Sequence, residues 1–439
     1  MSHHRPTLTR SIDRRTLLAG TGAALALGTA SACNSGGSSS DEIRMWTFLD
    51  PAGSSGREKA LKSLIDSYQE SSGVTVTVEV QQWDTMTQQF LAADVSGSAP
   101  DVIWASLDQV ANAVEQGALA DLKEVAFADT PDDQLAELQD TYWTSMEQDD
   151  GTLPGIVHSR NYFGIMYRKD LLEEQGVDAE EIATWDDLVE AAQKLTSSAD
   201  GTWGLGQAFA TSFADPQIIS ALIMDGQGAM FGDDGAPTWA TDAGVAAMKR
   251  QVAFIDEDKV TPSDAVRLTA EDLYEVFSAG QAAMINGASS RVPAMQEQVG
   301  AENVGFMHYP SEDGSTPASG NLAGWSVGVW EGSEAKEQAG AFVAHLSSPE
   351  ADETWLLDGQ QPPLYPSTAE KNADFLDKPE NAFLRTVLEG AQEVGWLAPT
   401  NAPANGWREA INEAVQQVML DGTDPMEALT TAEGKVGKG

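Results

Sequence analysis

The sequence predicts an α/β fold in two lobes with a cleft between them, on three observations. From Ile43 onward the pattern runs strand, helix, strand, helix, strand, helix, the order that builds a layered sheet with parallel strands. A second mixed block opens after Gly151-Thr-Leu-Pro154. Beyond its first 40 residues the 439-residue chain is longer than one comfortable core, so two domains are expected.

The elements follow in order. Ile43–Leu49 is an apolar run of strand length, and a loop with Gly53 and Gly56 leads to a helix from about Arg57 to Glu70. Its Ala60, Leu61, Leu64, Ile65 and Tyr68 recur at helical spacing. Val74–Val80 alternates apolar and polar residues, as a half-buried strand does. A helix over Thr85–Ala93, a short buried strand over Asp101–Trp104 and a helix ending at Gly117 complete the first block. In the second block, Ile156–Tyr167 suits a strand crossing between domains, and Thr184-x-x-Asp187 is a capping box before a helix over Trp185–Leu195. Residues 201–240, rich in Gly, Trp and Phe and poorly periodic, are expected to form a loop-built concave surface. Helices are expected over Ala243–Asp256, Ala270–Ala279, Lys336–Leu346 and Trp407–Met419, and one starting at Ser348-Pro349. Strands are expected over Gln281–Asn286 and Leu322–Trp330.

The N-terminal stretch sets the compartment. Positive residues, a short apolar run and small residues before a cut are the three parts of an export signal, expected here over residues 1–32. Arg14-Arg15 followed by Leu17-Leu18 resembles a twin-arginine signal. Leu17–Ala32 is too short and too rich in Gly and Thr for a membrane span, which takes about 20 apolar residues. Ala30-Ser31-Ala32-Cys33 resembles a bacterial lipobox, which makes Cys33 the expected lipidation site. The alternative is an ordinary secretory signal with an incidental cysteine. The Gly/Ser segment at 33–40 fits a flexible tether, so the expected location is the outer face of the cytoplasmic membrane.

Charge narrows the partners. Cutting after residue 32 removes four Arg and one Asp from 25 basic and 68 acidic residues, leaving 21 and 67 and a formal charge of −46. Such a surface repels nucleic acid and anionic headgroups, and disfavours an anionic substrate unless a local arginine pocket overrides the average field. Cys33 is the only cysteine, so no internal disulfide framework is available.

Catalysis finds little support. His3 and His4 fall in the leader, and His158, His308 and His345 are isolated along the chain. Zinc, triad and nucleotide motifs do not occur, and acid pairs such as Asp149-Asp150, Asp186-Asp187 and Asp233-Asp234 arise by chance in so acidic a chain. No enzyme activity, cofactor or metal is expected. The 12 tryptophans are more informative. Trp46, Trp83, Trp104, Trp203, Trp239, Trp325, Trp396 and Trp407 fall where the pattern predicts strand ends or loops. Flat aromatic faces beside Asp, Asn, Gln or Arg suit a sugar, with its apolar C–H faces and rim of hydroxyls. For any single Trp, core packing is the competing explanation.

Several segments, in order, resemble the sugar-binding lipoproteins of ABC importers typified by maltose-binding protein. They are Ser98-Ala-Pro-Asp-Val-Ile-Trp104 running into Val114–Leu122, Gly164-Ile-Met-Tyr-Arg-Lys-Asp-Leu171, Trp185-Asp-Asp-Leu188, Phe277–Gly287, Gly324-Trp-Ser-Val-Gly-Val329, and Trp407-Arg408 ahead of Leu420–Pro425. The resemblance covers residues 41–435 and implies the periplasmic-binding-protein-like fold, hinge closure on a sugar, and delivery to ABC permease subunits. It places lobe 1 at 41–157 plus about 325–370 and lobe 2 at 158–324 plus about 371–439, in a monomer. It also implies ligand contacts from Asp50, Trp83, Asp108, Asn161, Phe213, Asn286, Gly287, Trp325, Trp396 and Arg408. Asn286-Gly287 match the family's Asn-Gly turn, while Ser289 stands where an aromatic is often found. Two alternatives stay open: a solute-binding protein for a cation such as a polyamine, for which acid-plus-Trp pockets also serve, and a lipid-anchored glycoside hydrolase with two close carboxylates.

Overall fold

Strand β1 (Glu42–Thr47) sits between two parallel neighbours, β2 (Thr75–Val80) and β3 (Val102–Ser106), in the computed structural model. The structure describes residues 41–197, 201–211, 215–398 and 406–437, apart from the Asp108 side chain. Helix α1 (Gly56–Ser72) links β1 to β2, and α2 (Met86–Ser96) links β2 to β3. Helix α1 starts on a capping box between Ser55 and Glu58 and stops at Gly73. Gly73 holds the left-handed conformation (φ 75°) that glycine adopts without steric cost. Helix α3 (Leu107–Glu115) follows β3 directly.

The sheet then passes to strands that run both ways. Strand β4 (Ile156–Arg168) has 13 residues, about 40 Å of extended chain. Its first half, Ile156–Tyr162, pairs antiparallel with β8 (Leu322–Val329), and β8 pairs with β3. Its second half, Phe163–Arg168, pairs with β6 (Ala282–Ala288) and β7 (Val304–Met307), and β6 carries β5 (Trp203–Gly206) as a parallel neighbour. The order is β2-β1-β3-β8-β4-β6-β5, with β7 on β4. One strand thus changes partners at Tyr162–Phe163 and joins two sheet halves.

Helices cover both faces. In the first half, Ile43, Met45, Ile103 and Val327 pack with Leu61 and Leu64 of α1. Phe342, Val343 and Leu346 of the next covering helix (Lys336–Leu346) join them, as do Trp355 and Leu356 of Pro349–Leu357. This core continues past β4 to Leu273, Tyr274 and Phe277, then to Phe383, Leu384 and Val387, so it is not confined to residues 41–157 and 325–370. A second core lies on the other face of the second half. There Ile165, Leu205 and Met284 meet the helices Trp185–Leu195, Gln217–Gln227, Asp242–Asp256, Trp407–Asp421 and Pro425–Val436. This is an α/β architecture, a mixed sheet with helices packed on both faces. Among the described residues, no helix is long and apolar enough to cross a membrane.

Two expectations need correction. Residues 201–240 hold β5 and the helix Gln217–Gln227 rather than a loop-built surface. That helix is buried on all sides from Gln217 to Ile223, so it shows no polar face and hence no amphipathic period. Trp104, Trp239 and Trp407 are core residues, at 1%, 0% and 3% exposure, rather than rings in open loops.

A bulge sets the aim of β4. Val157 pairs with Ser326 and Ser159 with Trp325, leaving His158 as the extra residue. The His158 ring lies edge-on to Trp104 and Trp355, and its Nε2 is 2.7 Å from the Leu346 carbonyl. Burial holds its pKa down to about 4, against 6.5 for a free imidazole. Nearby, burial raises the Asp352 carboxyl to about 6, although it accepts from the Leu364 and Tyr365 amides.

The two act in opposite senses between pH 4 and 6.5. As pH falls through 6.5, the unfolded chain protonates His158 while the folded chain does not, and stability drops by up to about 3 kcal/mol by pH 4. Asp352 is protonated more readily in the folded state, so its contribution is full at the acid end and is lost as pH rises through 6. His158→Gln should remove the first effect and keep the second. Urea unfolding should therefore show the variant improving relative to the wild type by about 2–3 kcal/mol from pH 7 to pH 4. A difference that stays constant with pH contradicts the account.

Candidate functional site

Period-2 alternation across the β4 pairings places a row of side chains on one face. Ser159 lies opposite Trp325, Asn161 opposite Ala323, Phe163 opposite Ala288 and Ile165 opposite Asn286. The Phe163 amide bonds the Asn321 carbonyl at 3.0 Å, continuing the row just before β8. Ser159, Asn161, Asn286, Asn321 and Trp325 therefore share one floor across the point where β4 changes partners.

Elements of the first sheet half close over one end. Phe48, just past β1, packs on Trp325 with ring centroids 4.4 Å apart. The Arg57 guanidinium lies 5.3 Å from the Phe48 ring centroid, and its Nη2 donates to Ser159 Oγ at 2.9 Å. Ser159 Oγ donates in turn to Gln361 Oε1 at 3.0 Å. Burial, and then the like charge of Arg291, lower the Arg57 pKa to about 10. Helix α1 reaches this position because Gly56 packs against the backbone at Asp358, where a Cβ would lie 2.3 Å from the carbonyl oxygen.

The other end belongs to the second half. Asn321 Oδ1 accepts from Gln217 Nε2 at 3.4 Å and Arg408 Nη2 at 3.3 Å, while its Nδ2 donates to the Trp396 carbonyl at 3.3 Å. Arg408 also lies over the Trp407 ring, 5.2 Å from its centroid. Asn286 Nδ2 donates to Asp215 Oδ2 at 3.2 Å, and Asn286 Oδ1 accepts from the Tyr309 hydroxyl.

Against this floor, Arg57 Nε, Asn161 Oδ1 and Gln217 Oε1 are buried without a hydrogen-bond partner. Other orphaned groups, such as the indoles of Trp104 and Trp239, sit inside the cores. An unpartnered buried polar atom is costly, and a row of them beside aromatic rings is a set of contacts suited to a polar ligand with apolar faces. Among the described residues, no group of three His, Cys, Asp or Glu side chains is placed to hold a metal ion.

The site residues named from sequence divide as follows. Asn161, Asn286, Trp325, Trp396 and Arg408 all lie on or against this floor. Trp396 does so through its carbonyl, since its ring packs at 9% exposure on Phe231 and Trp407. Asp50 is exposed in the loop after β1, where its Oδ1 accepts from the Ala52 amide. Trp83 is 45% exposed in the turn after β2. Neither belongs to the floor strands. Asn286-Gly287 is not a turn: β6 runs through both to Ala288, and Gly287, opposite Gly164, belongs to the other face. The Asp108 side chain and Phe213 lie outside the described residues, as does Cys33. Ser289 is buried, its hydroxyl accepting from the Tyr162 amide.

Sequence reading missed Phe48, Arg57, Ser159, Gln217, Asn321 and Gln361. Ser159 was accessible from Asn161 by strand period alone, whereas Arg57 is indistinguishable in sequence from other charges opening a helix.

The chain belongs to the bacterial extracellular solute-binding protein family, whose profile it matches over residues 52–353. The family is one of binding proteins rather than enzymes. The chain is 25% identical over 302 residues to an Escherichia coli K12 protein provisionally named ABC transporter periplasmic-binding protein YcjN, covering 69% of this chain and 68% of that one. A solute-binding protein of Thermotoga lettingae, solved with alpha-D-tagatose, superposes with a TM-score of 0.77 at 20% identity, over 90% of this chain and 99% of that one. MalE3 of T. maritima, solved with maltose, gives a TM-score of 0.74 at 21% identity, over 90% and 99%.

If Asn321 ties the second half to the floor, Asn321→Ala should remove three buried hydrogen bonds. The expected cost is about 2–3 kcal/mol, a fall of a few degrees in thermal midpoint. An unchanged midpoint in a calorimetric scan would show that the contacts contribute nothing.

Proposed function

We propose that this protein is the substrate-binding component of an ABC importer that captures a sugar, an oligo- or disaccharide, outside the cytoplasmic membrane and delivers it to permease subunits. The observation that carries the reading is a set of orphaned polar atoms, on Arg57 by Phe48, on Asn161 in β4 and on Gln217 by Asn321, brought from both sheet halves to one strand face that also carries Trp325. A sugar offers a hydroxyl to each such atom and an apolar face to each ring. The ligands of the two similar solved structures, tagatose and maltose, support the same class.

The mechanism follows from the division of contacts. Lobe 1, taken as 41–157 plus about 325–370, supplies Phe48, Arg57 and Trp325. Lobe 2, taken as 158–324 plus about 371–439, supplies Asn286, Gln217 and Arg408. A sugar touching both favours the closed arrangement by its differential affinity for the two states, through bending where β4 changes partners. The closed, loaded form is the one the permease accepts. Residues 1–32 serve as the export signal, Cys33 carries the lipid, and residues 33–40 tether a monomeric binding domain to the membrane.

A thermal-shift screen of residues 41–439 against mono-, di- and oligosaccharides, with spermidine as the cationic control, tests the reading. A sugar at 100 times its Kd should add about 2.7 kcal/mol, a shift of a few degrees. Trp325→Ala should weaken that sugar by about 10- to 100-fold, from the loss of a stacking face. Response to spermidine alone overturns the ligand class, and cleaved sugar after incubation overturns the assignment as a binding protein.

A further inference from the structure

Arginines that can only donate hydrogen bonds stand at opposite ends of the floor. Arg408 Nη2 donates to Asn321 Oδ1 at 3.3 Å, and Arg57 Nη2 donates to Ser159 Oγ at 2.9 Å. A guanidinium has no acceptor, so each contact fixes which atom of its partner must face it. A side-chain amide is not oriented by shape, because its oxygen and nitrogen ends are nearly alike in size, and only its partners decide.

At the second-half end this polarity is handed on from residue to residue. Arg408 requires the oxygen of the Asn321 amide, and the Trp396 carbonyl requires its nitrogen, which donates there at 3.3 Å. Turning Asn321 over would set nitrogen against guanidinium and oxygen against carbonyl, so both neighbours hold one orientation. Asn321 Oδ1 then accepts from Gln217 Nε2 at 3.4 Å. With Nε2 committed, the other end of the Gln217 amide is Oε1, buried without a hydrogen-bond partner in a residue 1% exposed. It belongs to the same amide group that meets the floor at Asn321, and it accepts but cannot donate. Asn161 Oδ1 is unpartnered too, but no hydrogen bond anchors that side chain, so its amide can turn either way. At the first-half end the sense is reversed. Ser159 Oγ accepts from Arg57 and donates its proton to Gln361 Oε1, which leaves Arg57 Nε, a donor, without a partner.

We infer that Gln217 is a specificity-determining residue that demands a hydroxyl hydrogen from the sugar, with Asn321 and Arg408 as the positioning residues that keep its oxygen presented. The inference rests on the sugar-binding reading above. A free hydroxyl donates to Gln217 Oε1 and satisfies it. A group in the same place that only accepts, such as an ether oxygen or fluorine, sets acceptor against acceptor and leaves the amide oxygen buried and unpaired. The hydroxyl that meets Gln217 is therefore unsubstituted, not engaged in a glycosidic link. Arg57 Nε, at the other end, is matched by an oxygen that accepts, a ring or glycosidic oxygen included. The site thus reads a sugar in one direction, and a fixed amide rather than a charge supplies the discrimination.

Isothermal titration of the full chain tests this with maltose, cellobiose, lactose, sucrose and tagatose, then with the monodeoxy and monodeoxyfluoro forms of each sugar that binds. Fluorine fills the place of a hydroxyl but has no hydrogen to donate. At one position the fluoro form should bind about tenfold or more weakly than the parent, and no better than the deoxy form. Gln217→Ala should bring parent, fluoro and deoxy forms at that position to within about twofold of one another. Asn321→Ala releases the Gln217 amide to turn its nitrogen toward the sugar, so the fluoro form should there gain on the deoxy form. Unliganded melting curves show whether each variant folds, and Gln217→Ala alone tests the contact where Asn321→Ala does not. A sugar that binds with fluorine tolerated at every position would overturn the inference and leave the sugar reading standing. So would donor-requiring positions that all survive Gln217→Ala, or a fluoro-to-deoxy ratio unchanged in a folded Asn321→Ala. Binding of none of the sugars would overturn the sugar reading and this inference with it.

Discussion

The exchange of partners along β4 is the constraint on which the rest of the molecule depends. Ile156–Tyr162 is held by β8 and Phe163–Arg168 by β6 and β7, so a single extended segment belongs to both sheet halves. Backbone hydrogen bonds on both sides fix which side chains face up, and strand period then sets Ser159, Asn161 and Phe163 in a line. The His158 bulge supplies the phase: without the extra residue, the face presented beyond it would be the opposite one. A buried imidazole between two tryptophans thus sets the face on which the proposed ligand site lies, without touching it.

The floor is polar where a core would be apolar, and that contrast is its chemical content. Side chains from both halves converge on Asn321 and Ser159, which act as relays. Asn321 gathers Gln217, Arg408 and the Trp396 carbonyl, while Ser159 links Arg57 to Gln361. Beside these relays, Arg57 Nε and Gln217 Oε1 stay without a hydrogen-bond partner, and the proposed sugar would supply one. The opposite face of the same strands is ordinary packing, with Met166, Ile285 and Tyr162 in the first core.

Much of the fold was legible in the sequence because its signals are local. The capping box at Thr184, the N-cap at Ser348 and the alternation of Val74–Val80 each report on a few neighbouring residues, and each matches an element. The helix Gln217–Gln227 escaped for the converse reason: burial on every side erased the period that reveals a helix. The site was legible only in part. Asn161, Asn286, Trp325 and Arg408 came from a resemblance, and the structure brings them together. Phe48, Arg57 and Gln361 are separated by up to hundreds of residues and meet only through strand order, which local pattern does not encode. Abundant tryptophan was a blunt guide, since Trp104, Trp239 and Trp407 are core residues while Trp325 stands on the floor.

The central claim is that both sheet halves contribute to one sugar site on the β4–β8–β6 floor. A crystal structure of the protein with the sugar that gives the largest thermal shift tests it most directly. The account predicts a sugar ring against Trp325, with hydrogen bonds from Arg57 or Asn161 at one end and Asn286 or Gln217 at the other. Sugar bound elsewhere, or held by residues of one sheet half alone, would contradict it.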